Sequence, residues 1–166
     1  MQYMNRAALF RLALALVLSY ATAGIGAALT DLGPWYFALR QPGWKPPDAA
    51  FGVIWSTIFT LCAISGWLAW QAANTAALRR RVAWLFGVNA FLNIFWSALY
   101  FKLQRPDWAM FEVVFLWLSI VALMVGLWRL SRWASLLLIT YWVWVSVAAM
   151  LNLETIRLNG PFTGLP

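Results

Sequence analysis

Five apolar runs, each about 20 residues long and parted by polar breaks, constrain this chain more than any other feature. They read as roughly Ala7–Leu29, Ala49–Gln71, Val82–Phe101, Trp108–Trp128 and Trp133–Ile156. A hydrocarbon core of ~30 Å takes about that many helical residues to cross, and only helices or closed barrels satisfy their backbone inside lipid. With 64% hydrophobic and 10% charged residues, the chain leaves nothing for a soluble domain. The expected fold is an all-α membrane protein, a single five-helix transmembrane bundle over residues 1–166. The breaks Asn74–Arg81, Lys102–Asp107 and Arg129–Arg132 are short, so neighbouring helices run antiparallel. Only the first connection is long.

Arg6 and Arg11 followed by an apolar stretch, with Ala21, Thr22 and Ala23 beyond, resemble a signal peptide and its cleavage site. The run is long for a signal h-region, however, and Gly24, Gly26 and the alanines suit close helix packing. It is expected to remain as the first span. The lone cysteine, Cys62, lies in an apolar run and reads as a small core residue.

The formal charge of +7 is distributed by side. With five spans, Arg6, Arg11, Arg79, Arg80, Arg81, Arg129 and Arg132 share one membrane face with no acid among them. The opposite face mixes Arg40, Lys45, Lys102, Arg105 and Arg157 with acids. This asymmetry favours a cytoplasmic N-terminus. The Arg79–Arg81 cluster reads as an orientation and lipid-headgroup anchor, and no nucleic-acid partner is expected.

The long connection carries Trp35, Tyr36, Trp44 and the pair Pro46 and Pro47. Two adjacent prolines cannot lie inside a helix, so residues from about Thr30 to Pro47 form a shaped loop. It reads either as a lid over a pocket or as an interfacial loop bearing belt tryptophans. The spans then help to decide. Phe51, Trp55 and Phe59 make one stripe on the second, and Asn89, Asn93, Trp96 and Tyr100 one on the third. Tyr141, Trp144, Ala148, Asn152 and Thr155 make another on the fifth, while Ala15, Ser19, Thr22, Gly26 and Thr30 give the first a small, weakly polar face. At ~1.5 Å per residue Trp55, Asn93 and Trp144 lie roughly 9, 12 and 20 Å below the loop surface. The stripes can therefore line one cavity open toward the loop, which favours the lid. Trp70, Trp84, Trp108, Trp128 and Trp133 lie near span ends and are assigned to anchoring.

The order Trp44-x-Pro-Pro, Phe51, Trp55, then Asn93-x-x-Trp96, Tyr141-x-x-Trp144 and Asn152 to Asn159 resembles the tryptophan-rich sensory protein family. This is also the translocator protein, or peripheral benzodiazepine receptor, family, and the resemblance runs from about Gly24 to Asn159. It implies a five-helix membrane protein, often a homodimer, in a bacterial membrane or, for a eukaryotic member, the mitochondrial outer membrane. It also implies binding of porphyrins and haem-like tetrapyrroles beneath the first loop; animal members bind cholesterol and synthetic drugs. The positions matching that pocket are Trp35, Trp44, Phe51, Trp55, Asn93, Trp144, Ala148 and Asn152, to which the stripes add Phe59, Asn89, Trp96 and Tyr141. Trp55 and Trp144 match the pair implicated in light-dependent porphyrin breakdown and are the candidate catalytic residues. The chain departs from the common pattern at Asn89 (often Gln), Thr140 (often Pro) and Phe59 (often Tyr in bacteria).

Other chemistry is narrowed independently. The chain has no histidine and one cysteine, which leaves no Ser-His-Asp triad, histidine haem ligand or multi-cysteine metal site. No metal and no resident cofactor are expected. The five acids read as loop or span-end residues, with Asp48 and Asp107 as helix starts. Two functions remain in front: a membrane receptor or sensor that binds a tetrapyrrole and regulates or moves it, and an enzyme that degrades porphyrin with light and oxygen. A secondary transporter is disfavoured by the lack of an internal repeat or a run of intramembrane charges.

Overall fold

A computed structural model describes residues 6–162, and every regular element within them is helical. The order is α1 (Arg6–Leu29), α2 (Pro34–Ala38), α3 (Asp48–Ala72), α4 (Ala76–Ser97) with a π-helical turn (Ala98–Lys102), α5 (Pro106–Trp128), α6 (Arg132–Leu137) and α7 (Ile139–Asn159). Five segments are long and apolar enough to cross a membrane, the fifth being α6 and α7 together. The protein is a multi-pass integral membrane protein.

The helix ends have local causes. Pro47 precedes α3 and Asp48 occupies its first turn, where a negative charge complements the helix dipole. Pro34 and Pro106 open α2 and α5, where the missing N–H has no partner to lose. Thr75 caps α4, its Oγ1 accepting from Leu78 N at 3.2 Å. That cap corrects the reading of Asn74–Arg81 as a break: Arg79, Arg80 and Arg81 lie in the opening turns of α4, their long stems able to reach the interface. Arg79 Nε donates to Ala73 O at 3.1 Å and its guanidinium lies 5.8 Å from the Trp70 ring centroid.

The fifth span is interrupted at Leu138, whose N–H turns back to Ser135 O at 3.2 Å. Ser135 is buried there, its hydroxyl donating to Met124 O of α5 at 2.7 Å. The long connection is likewise not all loop, because α2 folds within it as a short helix.

α5 packs against α4, α6 and α7, whereas α1 lies outside on α3 and α4 and buries only Gly26. The first span is thus built into the bundle: Ser19 Oγ donates to Phe59 O at 2.7 Å, and Arg11 to Gln71 Oε1 at 2.7 Å. A Cβ on Gly26 would meet Ser97 Oγ at 3.7 Å, but Gly24 faces open space, so only one of the two glycines sits at a close crossing. One core cluster, with Ile58, Val113, Ile120, Tyr141 and Val145, joins α3, α5 and α7. A second, with Ala69, Val82, Leu123 and Leu138, closes the arginine-rich end. A third, Tyr36, Leu99, Tyr100 and Ala109, ties α2 to the opposite end. Trp84, Trp108, Trp128 and Trp133 are exposed on the bundle surface, and Arg105 and Arg132 lie 4.2 and 5.8 Å from the Trp108 and Trp128 ring centroids.

Candidate functional site

The apolar stripes of α3, α4 and α7 converge on a cavity of about 480 Å³ beneath α2. Phe51, Trp55 and Phe59 enter from α3, Asn93 and Trp96 from α4, and Trp144 and Ala148 from α7. Their spacing explains the convergence, since each set recurs on one helical face and the helices alternate in direction. Phe51 packs edge-on against Trp144 with ring centroids 5.5 Å apart, and Trp55 stacks on Phe59 at 5.6 Å. Leu116 and Val145 complete the inner wall.

The remaining candidates surround this cavity without lining it. Tyr141 lies behind the wall, buried, its Oη accepting from Asn93 Nδ2 at 3.0 Å and its ring edge-on to Trp55 at 6.2 Å. Asn89, one turn deeper, donates to Ser119 Oγ of α5 at 2.8 Å. Asn152 clamps the start of α5, its amide donating to Pro106 O at 3.0 Å and accepting from Met110 N at 3.2 Å. Trp35 packs edge-on against Tyr100 at 6.2 Å, and Trp44 is 52% exposed on the loop.

Several lining residues lay outside the sequence candidates. Ala23, Gly26 and Ala27 of α1, with Thr30 just past its end, form a small-residue wall, of which only Gly26 and Thr30 belonged to the face read from the sequence. Phe101 is brought in by the π-helical turn, where Leu103 N reaches back to Ala98 O at 2.9 Å. The extra residue per turn lets Tyr100 and Phe101 both face the lid, and a single sequence carries no periodic signal for it.

The roof is Tyr36, with Asp48 at the rim. Tyr36 Oη donates to Asp48 Oδ1 at 3.0 Å, and Lys45 Nζ donates to the same oxygen at 2.5 Å. Lys45 also sits 5.2 Å from the Tyr36 ring centroid and 5.9 Å from that of Phe51. Burial raises the Tyr36 hydroxyl above its ordinary pKa, against the lowering effect of Lys45. Burial works against the Lys45 charge, yet the bonds to Asp48 and Tyr36 outweigh it and hold the ammonium above its ordinary value. A second latch lies across the loop. Asn159 Oδ1 accepts from Arg40 N at 2.7 Å, and its Nδ2 donates to Arg40 O at 2.9 Å.

Glu112 departs from the sequence reading of acids confined to loops and span ends. It stands six residues into α5, roughly 9 Å along the axis, and is only 5% exposed. Neither carboxyl oxygen has a hydrogen-bond partner among the described residues, and the same holds for Nε1 of Trp96 and Trp144.

Fold and site together define a class: a five-span helical membrane protein with a lidded, aromatic, mostly apolar cavity. The TspO/MBR family profile matches residues 12–158. The chain is 36% identical over 143 residues to the protein CrtK of Rhodobacter capsulatus, covering 84% of this chain and 87% of that protein. It is 35% identical over 157 residues to the tryptophan-rich protein TspO of Chlorobaculum tepidum, covering 89% and 95%. Against the translocator protein of Homo sapiens it is 25% identical over 131 residues, covering 78% of each chain. The chain belongs to the TspO/MBR family of membrane sensor and translocator proteins.

Proposed function

We propose that this protein is a membrane sensor that binds a porphyrin or haem-like tetrapyrrole in the cavity beneath its first loop, and that occupancy regulates the level or movement of that ligand. The observation that carries the reading is the meeting of Phe51, Trp55, Trp96 and Trp144 around about 480 Å³ of mostly apolar space. That volume falls in the range of small-molecule sites, and flat aromatic walls suit a flat amphipathic ring. With no histidine in the chain, a haem would be held by its faces and edges and not through an imidazole on its iron. The names of relatives, tryptophan-rich sensory protein and translocator protein among them, support a sensing or ligand-moving role.

Light- and oxygen-dependent porphyrin breakdown is the second reading, favoured by one observation: Trp55 and Trp144, whose indoles can lose an electron, share the cavity. Spectra of bound porphyrin in the dark and under light, with and without oxygen, separate the two. A sensor leaves the porphyrin spectrum intact, or bleached at the rate seen in Trp55→Phe and Trp144→Phe. Breakdown that vanishes in those variants, with binding retained, transfers the assignment to the enzyme. A porphyrin that does not bind at all removes both readings.

A further inference from the structure

Among the described residues the cavity is lined by aromatic faces and one acid, Asp48, with no lysine or arginine in its walls. Behind one wall stands a second acid. Ala109, Glu112, Leu116 and Ser119 fall at i, i+3, i+7 and i+10 on α5, facing the stripe of Asn89, Asn93 and Trp96 on α4 and Tyr100 in its π-helical turn. The register of these antiparallel stripes is fixed at one end by the Asn89–Ser119 hydrogen bond and at the other by packing of Leu99 and Tyr100 with Ala109. Glu112 therefore lies level with Trp96 and one turn from Leu116, both of which line the cavity.

A carboxyl buried at this depth without a donor is costly, and intramembrane acids of this kind mark sites where a partner is supplied. Only 5% of Glu112 is exposed, and both its oxygens lack a partner among the described residues. Nε1 of Trp96, level with it in the register, likewise has no partner among the described residues. The π-helical turn begins two residues after Trp96, and such turns recur at functional sites.

We infer that the cavity accepts an organic cation, a protonated amine on a flat aromatic body, with Glu112 as its counter-charge. The tryptophan and phenylalanine faces attract the cation through their quadrupoles, and rotation of Trp96 or Glu112 brings the carboxylate to the ammonium. Lys45 does not oppose this, because its ammonium is bound to Asp48 at the rim. The inference rests on the cavity being a ligand site, as proposed above, but not on a tetrapyrrole being its occupant.

The test compares 1-naphthylmethylamine with 1-naphthylmethanol, which match in shape and differ in charge, on the full chain in one detergent. Protoporphyrin is titrated in parallel. Wild type is expected to prefer the amine by about tenfold or more. Glu112→Asp should keep most of that preference, and Glu112→Gln should reduce it to about twofold or less. Equal binding of amine and alcohol by wild type overturns the inference whatever the variants do. So does a preference that survives in Glu112→Gln. Porphyrin binding without an amine preference sinks this inference alone. An amine preference without porphyrin binding sinks the tetrapyrrole reading alone.

Discussion

Replacing Asn159 by alanine should loosen the lid without touching the cavity. Its side chain joins the C-terminal end of α7 to the backbone of Arg40 through two hydrogen bonds, of 2.7 and 2.9 Å, across 119 residues of sequence. An intramolecular hydrogen bond contributes about 0.5–1.5 kcal/mol net, and these two are exposed, which places each at the lower end. Together they favour the closed loop by about 1–2 kcal/mol, equivalent to roughly 5- to 30-fold in the ratio of closed to open states. The Tyr36–Asp48–Lys45 latch remains, so the loop should open more often without unfolding. Amide hydrogen exchange over residues 30–47 should accelerate by about that factor, and porphyrin dissociation should follow it. Asn159→Asp, which keeps the acceptor for Arg40 N but loses the donor, should fall between. Loop exchange and dissociation both within twofold of wild type in Asn159→Ala would refute the latch.

Trp144→Ala removes a cavity wall and should weaken porphyrin binding about tenfold or more, whereas Trp128→Ala, on the exposed surface, should leave affinity nearly unchanged in the same titration. Asn93→Leu takes the donor from the buried Tyr141 hydroxyl and should cost about 1 kcal/mol, more than the ~0.6 kcal/mol average for interhelical membrane hydrogen bonds because Tyr141 lies away from water; thermal unfolding in detergent reads it. We propose a homodimer packed partly through Ala83 and Gly87, since a Cβ on Gly87 meets nothing within 4 Å; Gly87→Leu should shift the particle toward monomer, and an unchanged mass by light scattering would reject that face. The arginine-rich end is proposed to face the cytoplasm: in a Cys62→Ala background, a cysteine at Gly43 should label from outside and one at Asn74 should not, and the reverse pattern would invert the topology.

What could be read in the sequence is what periodicity and the cost of polar groups in lipid control. The five spans follow from apolar length, and the cavity follows from Trp55, Asn93 and Trp144 recurring at helical spacing at compatible depths. Features set by packing were not legible. Three arginines look like a loop by charge alone, yet a threonine cap and flexible stems let Arg79, Arg80 and Arg81 sit in the opening turns of α4. The interruption at Leu138 depends on where Ser135 finds Met124, a contact between helices. The π-helical turn that presents Phe101, the small α1 residues that line the cavity and the burial of Glu112 all depend on neighbouring helices in the same way.

The most direct test of the central claim fills the cavity. Ala148→Trp places an indole into the space between Trp144 and the lid while leaving the loop latches and the outer surface untouched. Protoporphyrin is titrated into wild type and variant, with binding read from the porphyrin absorption band and folding from thermal unfolding in the same detergent. The account predicts saturable binding to wild type and a loss of about 30-fold or more in a variant that still folds. Wild-type affinity in folded Ala148→Trp would mean that the ligand sits elsewhere, and would contradict the assignment of this cavity.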